Sequence, residues 1–265
     1  MKVIKEILFL MLLIGYMVIL SGFITAKEQE KKIGKVSIRI VDSTRNQFIR
    51  SSEIRNMLEQ KKIIPYGKEA GSVDLEAIER SLIAKQIISK AEAFITEPGV
   101  LHIEISQKIP FVRIFNRYGQ GYYLDGQGNI IPLTSNVSPF VLVANGFISE
   151  PFPVARTLNI HDVRHDSLSR SQRTIYDVYQ LAGFITGDKF WDSQIEQIYV
   201  NNKYEIELIP RVGSHIIELG RIENLEEKME NLKLLYEEGL NKIGWNQYGK
   251  ISLKYKNQVV CTKIQ

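Results

Sequence analysis

Two histidine–aspartate pairs are the residues whose spacing most suggests chemistry. His161-Asp162 and His165-Asp166 repeat at an interval of four, and two histidines at that interval on one helix face could bind zinc. The segment around them has little helical periodicity, however, and it offers no clear further ligand. A solvated loop is therefore the preferred interpretation, and the sequence predicts no metal site.

Two other groups have the side chains of nucleophilic catalysis. Gly213-Ser214-His215 places a hydroxyl beside an imidazole, but no G-x-S-x-G elbow surrounds it, so a turn between strands is expected. Cys261 is the single cysteine, which excludes an intrachain disulfide. A nucleophile pair of Cys261 with a distant histidine is not favoured, because the cysteine lies four residues from the terminus, where order is poor. We predict no catalytic residue, no cofactor and no enzymatic activity.

Charge and length narrow the class of protein further. The 34 Lys and Arg residues nearly balance the 30 Asp and Glu residues over 265 positions. Nucleic-acid binding needs a clustered basic excess, which this balance argues against. The length allows one or two ordinary domains.

An uncharged stretch at residues 7–26, ILFLMLLIGYMVILSGFITA, is the strongest organising feature. As a helix it extends about 30 Å, which matches the hydrocarbon thickness of a bilayer. The small-x-small sites for signal cleavage are poor, so a permanent anchor is preferred to a cleaved signal. Residues 1–6 are then a short tail and residues 27–35 a charged juxtamembrane linker. The flanking lysines leave the orientation open.

Residues 36–108 have the pattern of a small α+β unit. Strand alternation begins at Val36, a helix follows Ser51 or Ser52 as its cap, and Asp74 caps a second helix. Two more strands follow, joined by a turn at 97–99. The predicted order is strand, helix, helix, strand, strand.

Residues 109–265 predict a mixed α/β domain with a mainly antiparallel sheet. Gly126 and Gly128 fit a hairpin turn rather than a phosphate loop, because no third glycine or helix follows. A helix is expected over 171–185. Another should begin at Asn224, with Glu227 completing a capping box, and end at Gly239. Alternating apolar residues from 251 predict a final strand that includes Tyr255.

Five segments, in this order, resemble motifs of the bacterial cell-division family FtsQ/DivIB, in the form typical of Bacteroidetes. They are SVDLEAIERSL (72–82), IEISQKIPFVRI (103–114), YYLDGQGNIIPL (122–133), ELGRIENLEEKMENLKLLYEEGL (218–240) and GKISLKYKNQVV (249–260). The resemblance implies a POTRA domain over 36–108 and an FtsQ-type β domain over 109–265. The six-residue tail is shorter than in many relatives.

The resemblance also implies location and role. The anchor would span the inner membrane once, with the N-terminus cytoplasmic and both domains periplasmic, enriched at the division septum. The protein would be an essential-type divisome scaffold that binds FtsB-like and FtsL-like partners. It would link early and late division proteins for septal peptidoglycan synthesis.

In relatives, the last strand and the helix near it contact FtsB. By position this implies partner contacts at Lys254, Tyr255, Asn257 and Gln258. Strand alternation places Tyr255 on the face of Ile251, so the sequence leaves open whether its ring meets a partner or the core. The family's acidic residue and arginine in this strand are replaced by Ser252 and Lys254.

Two other functions remain possible from the sequence. A POTRA-bearing component of protein transport or outer-membrane assembly should carry several POTRA units or a terminal barrel. A membrane-tethered periplasmic hydrolase needs a convergent nucleophile or metal group. The sequence provides neither signal.

Overall fold

The computed structural model describes residues 9–17, 31–41, 48–97, 99–134, 138–149, 159–162 and 170–264. The chain divides into two compact units, Met1–Gln107 and Lys108–Gln265. Each unit has its own sheet and its own hydrophobic core, so each is described by itself.

The predicted anchor is only partly covered by the described residues. Residues 9–17 are helical, with exposed apolar side chains, while the rest of 7–26 and residues 1–6 lie outside the described ranges. Within those ranges, no helix combines the length and the apolarity that crossing a bilayer requires.

The first unit is a three-stranded sheet covered by two helices. Its strand order is β1-β3-β2, with β1 parallel and β2 antiparallel to β3. The α+β prediction and its element order are confirmed. The elements are β1 (Lys35–Ile40), α1 (Ser51–Gln60), α2 (Leu75–Ile83), β2 (Ile88–Glu97) and β3 (Val100–Gln107).

Apolar residues at helical spacing hold this unit together. Ile54 and Leu58 of α1 and Ile78 and Leu82 of α2 are buried, as are alternate residues of β3 such as Ile103. The periods of 3.6 and 2 thus place one face of each element in the core.

The helix starts of this unit follow the prediction in one case and not in the other. Asp74 accepts a hydrogen bond from the Ala77 amide at 2.8 Å, which confirms the predicted cap of α2. The predicted serine cap of α1 is wrong, because Arg50 is the N-cap residue and no side chain caps the helix.

The predicted linker 27–35 is also wrong for residues 31–35. Ile33 is only 1% exposed, and its amide donates to the Lys68 carbonyl at 2.8 Å. The Gly67 amide donates back to the Ile33 carbonyl at 2.8 Å, so this stretch is part of the folded unit. Ile33 is the single apolar residue of this stretch and stands among lysines, so the sequence pattern did not indicate that it is buried.

The second unit is built on a nine-stranded sheet of order β12-β11-β10-β9-β8-β7-β4-β5-β6. Five neighbouring pairs are antiparallel and three are parallel, as the prediction of a mixed, mainly antiparallel sheet expects. The strands are β4 (Pro110–Phe115), β5 (Gly121–Asp125), β6 (Ile130–Pro132), β7 (Leu142–Gly146), β8 (Ile195–Val200), β9 (Ile206–Pro210), β10 (Ile216–Gly220), β11 (Tyr248–Ser252) and β12 (Val260–Lys263).

The helices α3 (Arg170–Gly187), α4 (Lys189–Gln194) and α5 (Leu225–Leu234) lie between these strands in sequence. Val178 and Leu181 of α3 and Met229 of α5 belong to one core with the buried strand residues Ile198 and Leu208. The hairpin at 126–129 is confirmed, with Gly128 at a φ of 79°.

Helix α5 begins directly after Asn224 as predicted, but the predicted capping box and the predicted end at Gly239 are wrong. Asn224 is left-handed, with a φ of 53°, and its side chain makes no capping hydrogen bond, so no capping box forms. The helix passes through Gly239 as a π-helical stretch, Leu235–Leu240, and continues to Ile243. It ends at Gly244, where φ is 99°. Burial of Tyr236 and Leu240 keeps the extra turn against the core.

Candidate partner-binding site

The four predicted contact residues lie in a turn and not in a strand. Strand β11 ends at Ser252 and β12 begins at Val260, so residues 253–259 connect two separate strands. Asn257 has a φ of 56°, and the Gln258 amide donates to the Tyr255 carbonyl at 3.3 Å. The predicted continuous final strand is therefore wrong, because the chain reverses where alternation was expected to continue.

The exposure of Tyr255 decides which way its ring points. Ile251 and Leu253 are buried, but Tyr255 is 57% exposed, so its ring does not follow them into the core. An exposed aromatic ring with a polar tip is well suited to anchoring a protein partner.

Lys254 is directed back toward the sheet. Its Nζ lies 3.5 Å from Glu205 Oε2 and 3.9 Å from Glu218 Oε2. A Cβ added to Gly220, whose φ is 76°, would lie 2.9 Å from Lys254 Cγ, so the lysine stem crosses directly over this glycine. Lys254 thus links the turn to Glu218 of β10 and to Glu205, the residue before β9. A partner carboxylate would compete with these two carboxylates for the lysine.

Glu218 is the centre of this charge cluster. Its Oε1 lies 3.0 Å from Lys250 Nζ. Burial by itself raises the pKa of the Glu218 carboxyl, but the hydrogen bond from Lys250 and the charge of Lys254 outweigh it, so the pKa is lowered. The carboxylate stays ionised and keeps both lysines near it.

A cleft of about 210 Å³ separates the turn from the start of α5. Lys228 forms part of its helix wall, and its Nζ donates to the carbonyls of Leu219 at 3.0 Å and Arg221 at 2.6 Å. Burial lowers the pKa of the Lys228 ammonium. The cleft is lined by Glu223, Asn224, Glu227, Lys228, Asn231, Leu253, Lys254, Tyr255, Lys256, Asn257, Gln258 and Val259.

Within the part of the chain that the structure describes, strand β12 forms an open edge of the large sheet beside this turn. It pairs with β11 on one side, and the sheet order ends with it. The Ile264 amide donates to the Gln247 carbonyl, toward β11. Because backbone groups alternate in direction along a strand, those of Lys263 and Cys261 face the open edge. Sequence reasoning missed this strand because the alternation from Ile251 was extended through the polar residues 256–258.

The opposite edge of the same sheet is protected. Strand β6 has three residues and ends at Pro132, which has no amide hydrogen to donate. Asn159 forms a bridge beside it at Asn129. Short edge strands, proline and covering segments are the usual protections against strand addition, so β12 is the better docking edge.

The residues singled out for chemistry do not assemble a reactive site. His215 is 2% exposed, and its Nε2 lies 2.9 Å from the Tyr236 hydroxyl. Burial lowers the pKa of the His215 imidazole, partly offset by the Trp245 backbone. Burial raises the pKa of the Cys261 thiol, which makes it a poorer nucleophile. Residues 211–214 form the predicted connection between β9 and β10.

The predicted solvated loop is only partly described. His161 lies in a short 3₁₀ turn, Ile160–Asp162, exposed and with its ring edge-on to Tyr176 and Tyr179. His165 and Asp166 lie outside the described residues. Among those described, no three His, Cys, Asp or Glu side chains are placed to hold a metal ion.

Two family models match the chain. The model described as "FtsQ/DivIB, C-terminal related" matches residues 109–262, and the model described as "POTRA-like domain" matches residues 31–106. The second match begins before Ile33, in agreement with the packing of that residue. No curated protein matches the chain significantly.

Proposed function

Because the chain belongs to the FtsQ/DivIB C-terminal related family and carries a POTRA-like domain before that region, we propose that it is a cell-division scaffold without enzymatic activity. Its partners are FtsB-like and FtsL-like division proteins. Through them it links early and late division proteins for septal peptidoglycan synthesis.

The open edge of β12 is the observation that carries this proposal. An extended partner segment adds to this edge through the outward backbone groups of Cys261 and Lys263. Each such hydrogen bond contributes about 1 kcal/mol net. The exposed Tyr255 ring and the polar cleft beside α5 add side-chain selectivity where the partner leaves the edge.

Membrane attachment forms part of the proposal. The apolar stretch 7–26 holds the protein in the inner membrane with residues 1–6 in the cytoplasm. Both folded units then lie in the periplasm, where they are enriched at the septum. The length and uncharged composition of the stretch support this arrangement, since every backbone group of a spanning helix is satisfied internally.

A proline placed on the open edge tests the docking mode. Lys263→Pro removes an amide that faces away from β11, so the pairing of β11 with β12 is retained while an added strand loses a hydrogen bond and meets the ring. We expect the Lys263→Pro chain to lose co-purification with FtsB-like and FtsL-like proteins from detergent extracts.

Lys263→Ala is the matched control, because it removes the same side chain and keeps the amide. It should co-purify as the unchanged protein does, and both variants should unfold at the same urea concentration. Full co-purification of Lys263→Pro would show that β12 is not the docking edge.

A further inference from the structure

Exposed apolar side chains collect at one end of the large sheet. They are carried by the residues before β4, β7 and β11, by the connection from β9 to β10, by the start of β10 and by the end of β12. We call this end the apolar rim; its members are Ile109, Phe140, Val212, Ile216, Ile243 and Ile264.

Strand register places these residues at the same end. Val112 pairs with Leu142 in parallel, so the residues before β4 and before β7 are neighbours. Ile195 pairs with Pro210, which brings the connection after β9 to the start of β8. Ile216 pairs with Lys250, which places the starts of β10 and β11 side by side. Tyr248 pairs with Lys263, which places the end of β12 beside them. From β4 to β12 the rim crosses six strand spacings, about 29 Å.

Phe140 and Arg211 form the centre of the rim. Phe140 is 83% exposed, and the Arg211 guanidinium carbon lies 5.0 Å from its ring centroid. Arginine stacked on an exposed aromatic ring offers an apolar surface and a positive charge at the same point. Lys263 adds a second positive charge, Lys242 is paired with Glu238, and Glu196 offsets part of the total.

The other end of the sheet has a different character. Its exposed large side chains are Tyr118 and Tyr255, whose rings carry hydroxyls, and the aliphatic Leu133 and Val260, which lie at opposite edges of the sheet. The cleft beside α5 is not lined by any rim residue. The rim is thus a row of separate aliphatic and aromatic tips with basic residues among them.

We propose that the apolar rim rests on the surface of an anionic phospholipid bilayer. Shallow insertion of aromatic and aliphatic tips, with arginine and lysine at the level of the headgroups, is the mode by which peripheral surfaces bind such lipids. The charge of Arg211 and Lys263 favours anionic over zwitterionic headgroups. This role is independent of which partner the β12 edge binds.

A fluorophore at the rim distinguishes lipid contact from its absence. In a Cys261→Ser background, Val212→Cys places an environment-sensitive NBD label at the rim, and Tyr118→Cys places it at the opposite end. The full-length chain is reconstituted with vesicles containing phosphatidylglycerol, and doxyl-labelled lipids serve as quenchers. Flotation measures vesicle association separately from the label.

We expect a blue shift and strong doxyl quenching at position 212 and neither effect at position 118. Arg211→Glu should reduce the quenching at 212, while Arg117→Glu, which removes an arginine stacked on Tyr118, should leave it unchanged. Vesicles of phosphatidylcholine alone should quench less.

Two results would overturn the proposal. The first is a chain that floats with vesicles but shows equal quenching at 212 and 118, which means that the rim does not contact lipid. The second is quenching at 212 that is as strong with phosphatidylcholine alone, which contradicts the role given to Arg211 and Lys263. The fluorescence shift and the doxyl quenching do not depend on partner binding. A failure of the proposed division role can therefore be told apart from a failure of the lipid contact.

Discussion

The Nε2 atom of His215 lies 2.9 Å from the hydroxyl oxygen of Tyr236, and both side chains are buried in the second unit. The Trp245 ring stacks on the imidazole and meets the tyrosine edge-on. Burial lowers the pKa of the imidazole and raises that of the phenol, so both groups are neutral near pH 7. Protonation of the imidazole would place a positive charge in this buried site, which burial disfavours.

The free energy of unfolding should therefore fall in mild acid. Because the folded-state pKa of His215 is lowered, its contribution is complete above the unfolded value of about 6.5 and is lost as the pH falls below it. The loss is at most about 1.4 kcal/mol per pH unit for one group. Urea unfolding between pH 5.5 and 8, followed by tryptophan fluorescence, measures this slope.

His215→Gln keeps a hydrogen-bonding side chain but cannot titrate, so its stability should vary less with pH. The exposed His161 supplies the control, and His161→Gln should keep the slope of the unchanged protein. Equal slopes for all three proteins would show that His215 is not the titrating group.

Gly220→Ala should destabilise the protein by about 1–2 kcal/mol, because a φ of 76° is costly for any residue with a Cβ. The new methyl also meets the Lys254 stem, so Lys254→Ala should relieve part of the cost in a double-mutant cycle. Urea midpoints of the single and double variants measure the backbone cost at position 220 and the cost of the contact with Lys254.

Gly183→Ala is the matched comparison for this substitution. Gly183 lies within α3 with nothing within 4 Å of an added Cβ, so alanine there should stabilise the helix by about 0.5–1 kcal/mol. Destabilisation of similar size at both glycines would mean that the conformation of Gly220 is not the cause.

Tyr255→Ala should weaken partner binding about 30-fold, the equivalent of about 2 kcal/mol for an interface anchor. The ring is exposed, so the urea midpoint should not change. Tyr118→Ala removes a similarly exposed tyrosine far from β12 and should retain full affinity. Biosensor titration of the purified chain with an FtsB-like protein measures both. Equal affinities for the two variants would remove Tyr255 from the interface.

Local patterns in the sequence predicted local structure well. Alternation predicted β3, and the Asp74 carboxylate before an apolar helix pattern predicted the start of α2, because these signals act within a few residues. The linker boundary failed because Ile33 is a single apolar residue, and only its distant pairing with Lys68 reveals that it is buried.

Local patterns in the sequence did not predict the conformation of the chain at the candidate site. The resemblance pointed to Lys254 and Tyr255, which do lie beside an open edge. The apolar alternation from Ile251 through Tyr255 predicted a continuous strand, whereas the chain reverses direction near Asn257. Asparagine tolerates the left-handed conformation that Asn257 adopts, and this was a local signal for the turn. The pairing of Lys254 with Glu205 joins residues 49 positions apart, and no local pattern contains that information.

The unequal edges of the large sheet limit how many molecules can join it. A sheet with two open edges can be extended from both sides and build a growing chain of subunits. Here Pro132 and Asn159 protect one side, so under the proposed docking mode each copy of this protein accepts one partner strand, at β12. The expected assembly is a closed unit of fixed composition, with one docked segment for each copy of this protein.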